Sequence, residues 1–201
     1  GSRVAVIAKN SPVFYELVFG CAKAGVVLVP VNWRLSPREI ADILDDASPR
    51  LVLADAEQAA GLPEAARSTY AVMRLEPDYG PWRDAAAEDD PRIAAAQGGT
   101  LALLYTSGTT GRPKGVMISH QNLAYSERMA REIWGFTASS VNLVAMPLFH
   151  IGGLGYGMMA LSQGGHTVLL QQPAPGPSLE AIARHRVTHA FFVPTVIQSL
   201  V

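Results

Sequence analysis

Residues 3–55 read RVAVIAKNSPVFYELVFGCAKAGVVLVPVNWRLSPREIADILDDASPRLVLAD, and the alternation of apolar runs with amphipathic stretches sets the fold class. Arg3 to Ala8 is an apolar run of the kind that forms a buried parallel strand. Asn10-Ser11-Pro12 supplies an N-cap signal, so a helix is predicted over 12–24, stopping at Gly25. Val26 to Val31 is a second strand. Ser36-Pro37 with Glu39 opens another helix that ends near Ala47, and Ser36 to Glu39 has the spacing of a capping box. Leu51 to Ala54 is a third strand. This order is a βαβαβ unit, which predicts an α/β fold with a parallel sheet and right-handed crossovers.

Beyond residue 55 the signal weakens and then returns. A short helix is expected near 56–67 and a strand at 70–75. Pro77 to Ala96 is rich in Ala, Asp and Pro and is expected to cover the surface; it is a candidate boundary between two lobes, about 1–98 and 99–201. Leu101 to Tyr105 is a strand, and Val116 to Ser119 is extended. A helix starts at Ser119 or His120 and reaches about Trp134. Strands are expected at 141–146, 167–171 and 190–193, with helices at 152–163, at 178–185 and from Pro194 onward. No internal repeat is evident.

The segment joining two of these strands, LYTSGTTGRPKG at 104–115, carries most of the functional information. It combines small residues, hydroxyl side chains and two positive charges directly after an apolar run. Backbone N–H groups approach an anion closely only where no Cβ intervenes, and Gly108 and Gly111 permit that approach. Thr106, Ser107, Thr109 and Thr110 can donate hydroxyl hydrogen bonds to phosphate oxygens, worth roughly 1.5–3 kcal/mol each when charge-assisted. Pro113 stiffens the exit and restricts Arg112 to an extended conformation, and Lys114 adds a mobile point charge. The segment is not a P-loop: five residues after Gly108 stands Pro113, and Gly115 follows Lys114. Neither Gly108 nor Gly111 begins a G-x-G, so the dinucleotide fingerprint fails as well. A flexible Ser/Thr/Gly linker is the bland alternative. It would need neither Pro-Lys-Gly after the glycines nor an apolar run on each side.

At 201 residues and 49% hydrophobic, the chain can bury a substantial core. A net charge of −1 gives no global field to attract nucleic acid or an anionic membrane. Cys21 is the one cysteine, so a disulfide framework within the chain is excluded, and its apolar helical context suits a small buried hydrophobe. There is no run of apolar residues long enough to be a transmembrane segment and no secretory pattern at the start. A soluble cytoplasmic protein in a reducing compartment is the expectation.

YTSGTTGRPKG resembles the phosphate-binding motif of the adenylate-forming superfamily of acyl-CoA synthetases, luciferases and peptide-synthetase adenylation domains. VMISHQNL follows it directly, as in that family, and PLFHIGG at 147–153 resembles the next conserved block. VPVNWRLSPREIADILDDASPRLVLAD at 29–55 is similar to the region before the loop in fatty-acyl and related CoA ligases. The resemblance covers essentially all of the chain. It implies layered sheets flanked by helices, part of the N-terminal AMP-binding domain of an acyl-CoA synthetase-like fold, with the C-terminal domain absent.

The resemblance also implies a reaction. A carboxylic acid, expected to be a fatty acid, is activated by Mg-ATP to an acyl-adenylate and then transferred to coenzyme A. The phosphate-binding residues would be Thr106, Ser107, Gly108, Thr109, Thr110, Gly111, Arg112, Pro113 and Lys114, with Thr106 near Mg²⁺. Phe149, His150, Gly152 and Gly153 fall in the block that borders the acyl pocket and the route of the thiol. The family's metal-holding Glu, ribose-binding Asp and catalytic Lys have no counterpart up to Val201, so the isolated chain is not expected to complete adenylation. Amino-acid adenylation, an acyl-AMP ligase serving a carrier protein and a non-catalytic nucleotide- or acyl-binding module are the alternatives. Oligomeric state is left open.

Other residues invite plainer readings. His150, just after an apolar strand, sits where ligands of open α/β sheets gather; a satisfied histidine packed on Phe149 is the lesser alternative. The small Gly152 and Gly153 are expected to leave room for an acid's chain. His185 and His189 lack the carboxylate or cysteine company of a zinc site. Tyr156, Met158 and Met159 are expected in a core rather than at a cofactor.

Overall fold

The structure is a computed structural model that describes residues 1–93, 98–106 and 113–200. The chain divides into two compact units, residues 1–8 with 13–120, and residues 9–12 with 121–201. The division expected near residue 98 thus falls inside the first unit. The physical reason is that the strand following it pairs into the first unit's sheet.

The first unit is built on a six-stranded sheet. Its strands are β1 (Arg3–Ile7), β2 (Val27–Pro30), β3 (Leu51–Ala54), β4 (Ala71–Arg74), β5 (Thr100–Thr106) and β6 (Lys114–Ser119), in the order β4-β3-β1-β2-β5-β6. β1 to β5 run parallel, joined in the N-terminal part by α1 (Val13–Ala24) and α2 (Pro37–Ala47) as the apolar alternation predicts. β6, expected only as an extended segment, pairs antiparallel with β5. The short connection between them can close a hairpin, whereas a parallel return needs a crossover of roughly a dozen residues.

Local chemistry explains where the helices begin and stop. Ser36 and Glu39 form the full reciprocal capping box of α2: the Ser36 hydroxyl accepts the Glu39 N–H at 3.3 Å, and the Glu39 carboxylate accepts the Ser36 N–H at 2.9 Å. Ile40, Ile43, Leu44 and Ala47 follow at helical spacing and bury one stripe against Ala5, Ile7, Val29, Val52 and Ala54. Each large aliphatic side chain taken out of water there contributes about 1.5–3 kcal/mol, so Leu44→Ala is expected to loosen this layer. α1 stops at Gly25, whose φ of +64° is costly for any residue with a Cβ. The single helix expected over 56–67 is instead two, α3 (Ala56–Gly61) and α4 (Glu64–Thr69). Pro63 lies between them and breaks the ladder. A kinked segment (Leu75–Tyr79), in which Glu76 is extended, and then α5 (Gly80–Asp84) follow β4.

The second unit repeats the strand–helix alternation on a smaller scale. After α6 (His120–Glu132) come β7 (Val141–Val144), α7 (Ile151–Ser162), β8 (His166–Leu169), α8 (Pro175–His185), β9 (His189–Ala190) and α9 (Pro194–Leu200). The three strands are parallel in the order β8-β7-β9. Leu143, Val144, Leu148, Tyr156, Met158 and Ala160 are buried, as the core reading of Tyr156 and Met158 expects. The Phe136 ring stacks on His189 with centroids 4.1 Å apart and meets Tyr156 edge-on at 5.9 Å. Among the described residues no helix is long and apolar enough to cross a membrane.

One sequence signal was spent differently from its usual use. The Asn10 side chain, read from the sequence as part of a cap for α1, makes three hydrogen bonds to backbone groups at residues 146, 148 and 170 of the second unit.

Candidate functional site

The glycine–threonine segment is the connection of the β5–β6 hairpin. Across that ladder Thr106 stands opposite Lys114, and Tyr105 opposite Gly115. Ser107, Gly108, Thr109, Thr110, Gly111 and Arg112 lie outside the described residues. The described ends of the segment are exposed at Thr106 and Lys114, with Pro113 half-buried between loop and strand. The pairing therefore brings a hydroxyl and an ammonium group to the same end of one hairpin, where a polyanion would meet both.

The hairpin is anchored one rung further in. The Tyr105 hydroxyl donates to the Asp46 carboxylate on α2. Burial first, and then the Asp46 carboxylate by hydrogen bond and charge, raise the phenol well above its ordinary range, so it stays a donor. On the partner strand, a Cβ at Gly115 would come within 3.2 Å of Tyr105 Cζ. The glycine is what lets the ring lie across the hairpin. Sequence reading took Tyr105 only as the end of a strand. Its partner Asp46 lies 59 positions away, where no local pattern points to it.

The second set of expected residues belongs to the other unit. His150 is the N-cap of α7 and its Nδ1 accepts the Gly152 N–H at 3.1 Å. In the neutral ring this assigns the proton to Nε2. His150 is exposed and Phe149 half-buried. A Cβ at Gly152 would meet Phe191 Cε1 at 3.1 Å and His150 Nδ1 at 3.4 Å. His150, Gly152 and Phe191 are therefore neighbours, and Phe191 in turn lies 5.4 Å from the Tyr156 ring, centroid to centroid. Phe191 was not singled out from sequence, although its place directly after a strand, three residues before Pro194, is the signal that could have found it.

Gly153 has a different reason to be small. A Cβ there would sit 2.1 Å from the Pro147 carbonyl oxygen, so the space beside it is filled by backbone rather than left open for a ligand. His189 uses both ring nitrogens within the second unit, Nδ1 at 2.8 Å from Thr188 Oγ1 and Nε2 at 3.1 Å from the Trp134 carbonyl. Among the described residues no cluster of His, Cys, Asp or Glu has the makings of a metal site. Thr106 offers a single hydroxyl oxygen, which fits a Mg²⁺ ion that takes most of its shell from phosphate and water.

A sequence model of the family described as AMP-binding enzyme matches residues 1–201. The chain is 35% identical over 208 residues to the fatty acid–[acyl-carrier-protein] ligase ScoC of Streptomyces coeruleorubidus, covering 100% of this chain and 40% of that protein. It is 34% identical over 201 residues to a feruloyl-CoA synthase of Amycolatopsis sp, again covering 100% of this chain and 40% of that protein. The crystal structure of ATP-bound MatB from Rhodopseudomonas palustris superposes with a TM-score of 0.89 at 32% identity, covering 100% of this chain and 41% of that one. The chain thus spans about 40% of the length of the curated relatives it matches.

Proposed function

The chain belongs to the AMP-binding enzyme family, and from that premise we propose that the protein containing it activates a carboxylic acid with Mg-ATP and passes it to a thiol. In the first step a carboxylate oxygen attacks the α-phosphorus and the bond to pyrophosphate breaks, giving an acyl-adenylate. In the second, the sulfur of coenzyme A attacks the acyl carbon and AMP leaves.

The observation that carries this reading is the hairpin, with Thr106 opposite Lys114 at the end that bears the SGTTGR segment. Negative charge grows on the departing pyrophosphate as the α–β bond breaks. Donors fixed beforehand at that point lower the barrier, because they need no reorganisation. In this reading Lys114, with Arg112, balances that charge, the Ser and Thr hydroxyls and loop N–H groups bind the β- and γ-phosphates, and Thr106 contributes an oxygen to Mg²⁺. The ion's chemistry is to draw charge from the phosphates. Phe149, His150 and Gly152, with Phe191 added, are assigned to the acid's pocket.

A fatty acid is the proposed substrate, supported by the name of the ScoC relative; the feruloyl-CoA synthase supports an aromatic acid in its place. The same ScoC name supports a carrier protein as an alternative acceptor. The single buried cysteine is in keeping with a reducing, cytoplasmic setting. The test is AMP release by the full-length protein with Mg-ATP and a panel of aliphatic and aromatic acids, with and without coenzyme A. Acid-dependent AMP matched by thioester is expected with at least one class. AMP release that ignores both acid and thiol would overturn the proposal.

A further inference from the structure

We propose that Asn10 is a positioning residue for the turn that carries Phe149 and His150, and that it thereby governs binding of the acid. This rests on the assignment of that turn to the acid's pocket.

Asn10 is only 4% exposed. Its Nδ2 donates to the Met146 carbonyl at 2.9 Å and to the Leu170 carbonyl at 3.0 Å, and its Oδ1 accepts the Leu148 N–H at 2.8 Å. Both amide hydrogens and one carbonyl lone pair are thus spent on backbone just past the ends of β7 and β8, where those strands no longer pair. The backbone between residues 146 and 150 belongs to neither strand nor helix, and its polar groups need partners. One side chain from a loop distant in sequence supplies them.

From there the geometry is passed on without a gap. The Pro147 carbonyl accepts the His150 N–H at 3.1 Å, and the His150 carbonyl accepts the Gly153 and Leu154 N–H groups at 3.0 and 2.9 Å. The His150 ring then caps Gly152. The close fit of Gly153 against Pro147 O leaves this stretch no slack. Moving residues 146–148 therefore moves the His150 ring with them. Asn10 itself needs no contact with substrate.

The side chain's chemistry explains why a near relative does not serve. Aspartate has the same shape and can still accept from Leu148, but it presents an oxygen to two carbonyl oxygens. Alanine leaves all three backbone groups without partners.

The experiment uses the full-length protein and the variants Asn10→Ala, Asn10→Asp and His150→Ala. Peptide-level hydrogen exchange over residues 146–154 is read beside the KM values for acid and for ATP. The expected result is at least tenfold faster exchange in that peptide for Asn10→Ala. Asn10→Asp is expected to raise the acid KM about tenfold, leave the ATP KM within twofold, and recover partly as the pH is lowered and its carboxyl gains a proton to donate. Unchanged exchange in the peptide would overturn the positioning role. A fall in apparent kcat with both KM values unchanged would mean only less folded protein, and would overturn the link to acid binding. If exchange accelerates but His150→Ala leaves the acid KM untouched, the pocket assignment fails and the positioning of the turn stands. Should Asn10→Ala not accumulate as folded protein, Asn10→Asp supplies both readouts.

Discussion

Tyr105 and Gly115 face each other across the β5–β6 hairpin, and the tyrosine ring occupies the space that a side chain at 115 would need, 3.2 Å from its Cβ position. The ring's hydroxyl donates to Asp46 on α2, so the loop-bearing end of the hairpin is tied to the packed layer of the first unit. Gly115→Ala pushes the ring aside, and Tyr105→Phe keeps the ring but drops the bond. Both are expected to raise the KM for ATP several-fold with little effect on the KM for the acid. An ATP KM unchanged in both variants would show that this anchor has no part in nucleotide binding.

Gly152 and Gly153 are adjacent but should respond in opposite ways to alanine. At Gly153 the new Cβ meets backbone at 2.1 Å, which no side-chain motion relieves, and a loss of about 3 kcal/mol or more is expected from such overpacking. At Gly152 it meets the Phe191 ring at 3.1 Å, which can tilt. Alanine's better helix propensity, about 1 kcal/mol, offsets much of that contact. Gly152→Ala is therefore expected to fold and to change which acids are accepted. Thermal melts with an acid panel separate the two, and equal stability of both variants would count against the packing described.

Burial pushes the Cys21 thiol up to about 11. At pH 8 only about one thiol in a thousand is then the reactive thiolate, against roughly a quarter for an ordinary cysteine. Alkylation by iodoacetamide should run at least about a hundredfold slower in the folded protein than in denaturant, and should speed up about tenfold per pH unit up to that value. Rapid labelling at neutral pH would contradict the buried position on α1.

The capping box of α2 gives a pH-dependent prediction. The Ser36 hydroxyl and backbone hold the Glu39 carboxyl below its ordinary range. A depressed folded-state value stabilises above the unfolded-state one and is lost as pH falls through the folded value. Ser36→Ala should cost about 1 kcal/mol at neutral pH, a fall of roughly 2–4 °C in Tm. The gap between wild type and variant should narrow in acid as Glu39 is neutralised. A gap independent of pH would mean that the carboxylate takes no part.

Local signals account for most of what the sequence revealed. Ser36 with Glu39, Gly25 after an amphipathic stretch, and the run at 51–54 each fix their element through chemistry within a few residues. What local reading missed depends on distant partners. Asn10 looks like a cap until its partners, 136 to 160 positions away, are known. Tyr105 looks like a strand end until Asp46 is placed beside it, and Gly153 looks like pocket width until Pro147 is seen to fill the space. The direction of β6 was legible in principle, since so short a connection excludes a parallel return.

The role of the hairpin in holding ATP's outer phosphates is best judged by ATP–pyrophosphate exchange in the full-length protein. Wild type is compared with Lys114→Ala and with a variant in which residues 107–112 are scrambled, all checked for equal melting. Loss of one charge-assisted contact, roughly 1.5–3 kcal/mol, corresponds to an expected fall of about 10- to 150-fold for Lys114→Ala, and the scrambled loop should fall further. Exchange at the wild-type rate in the scrambled protein would remove the polyphosphate from this loop altogether.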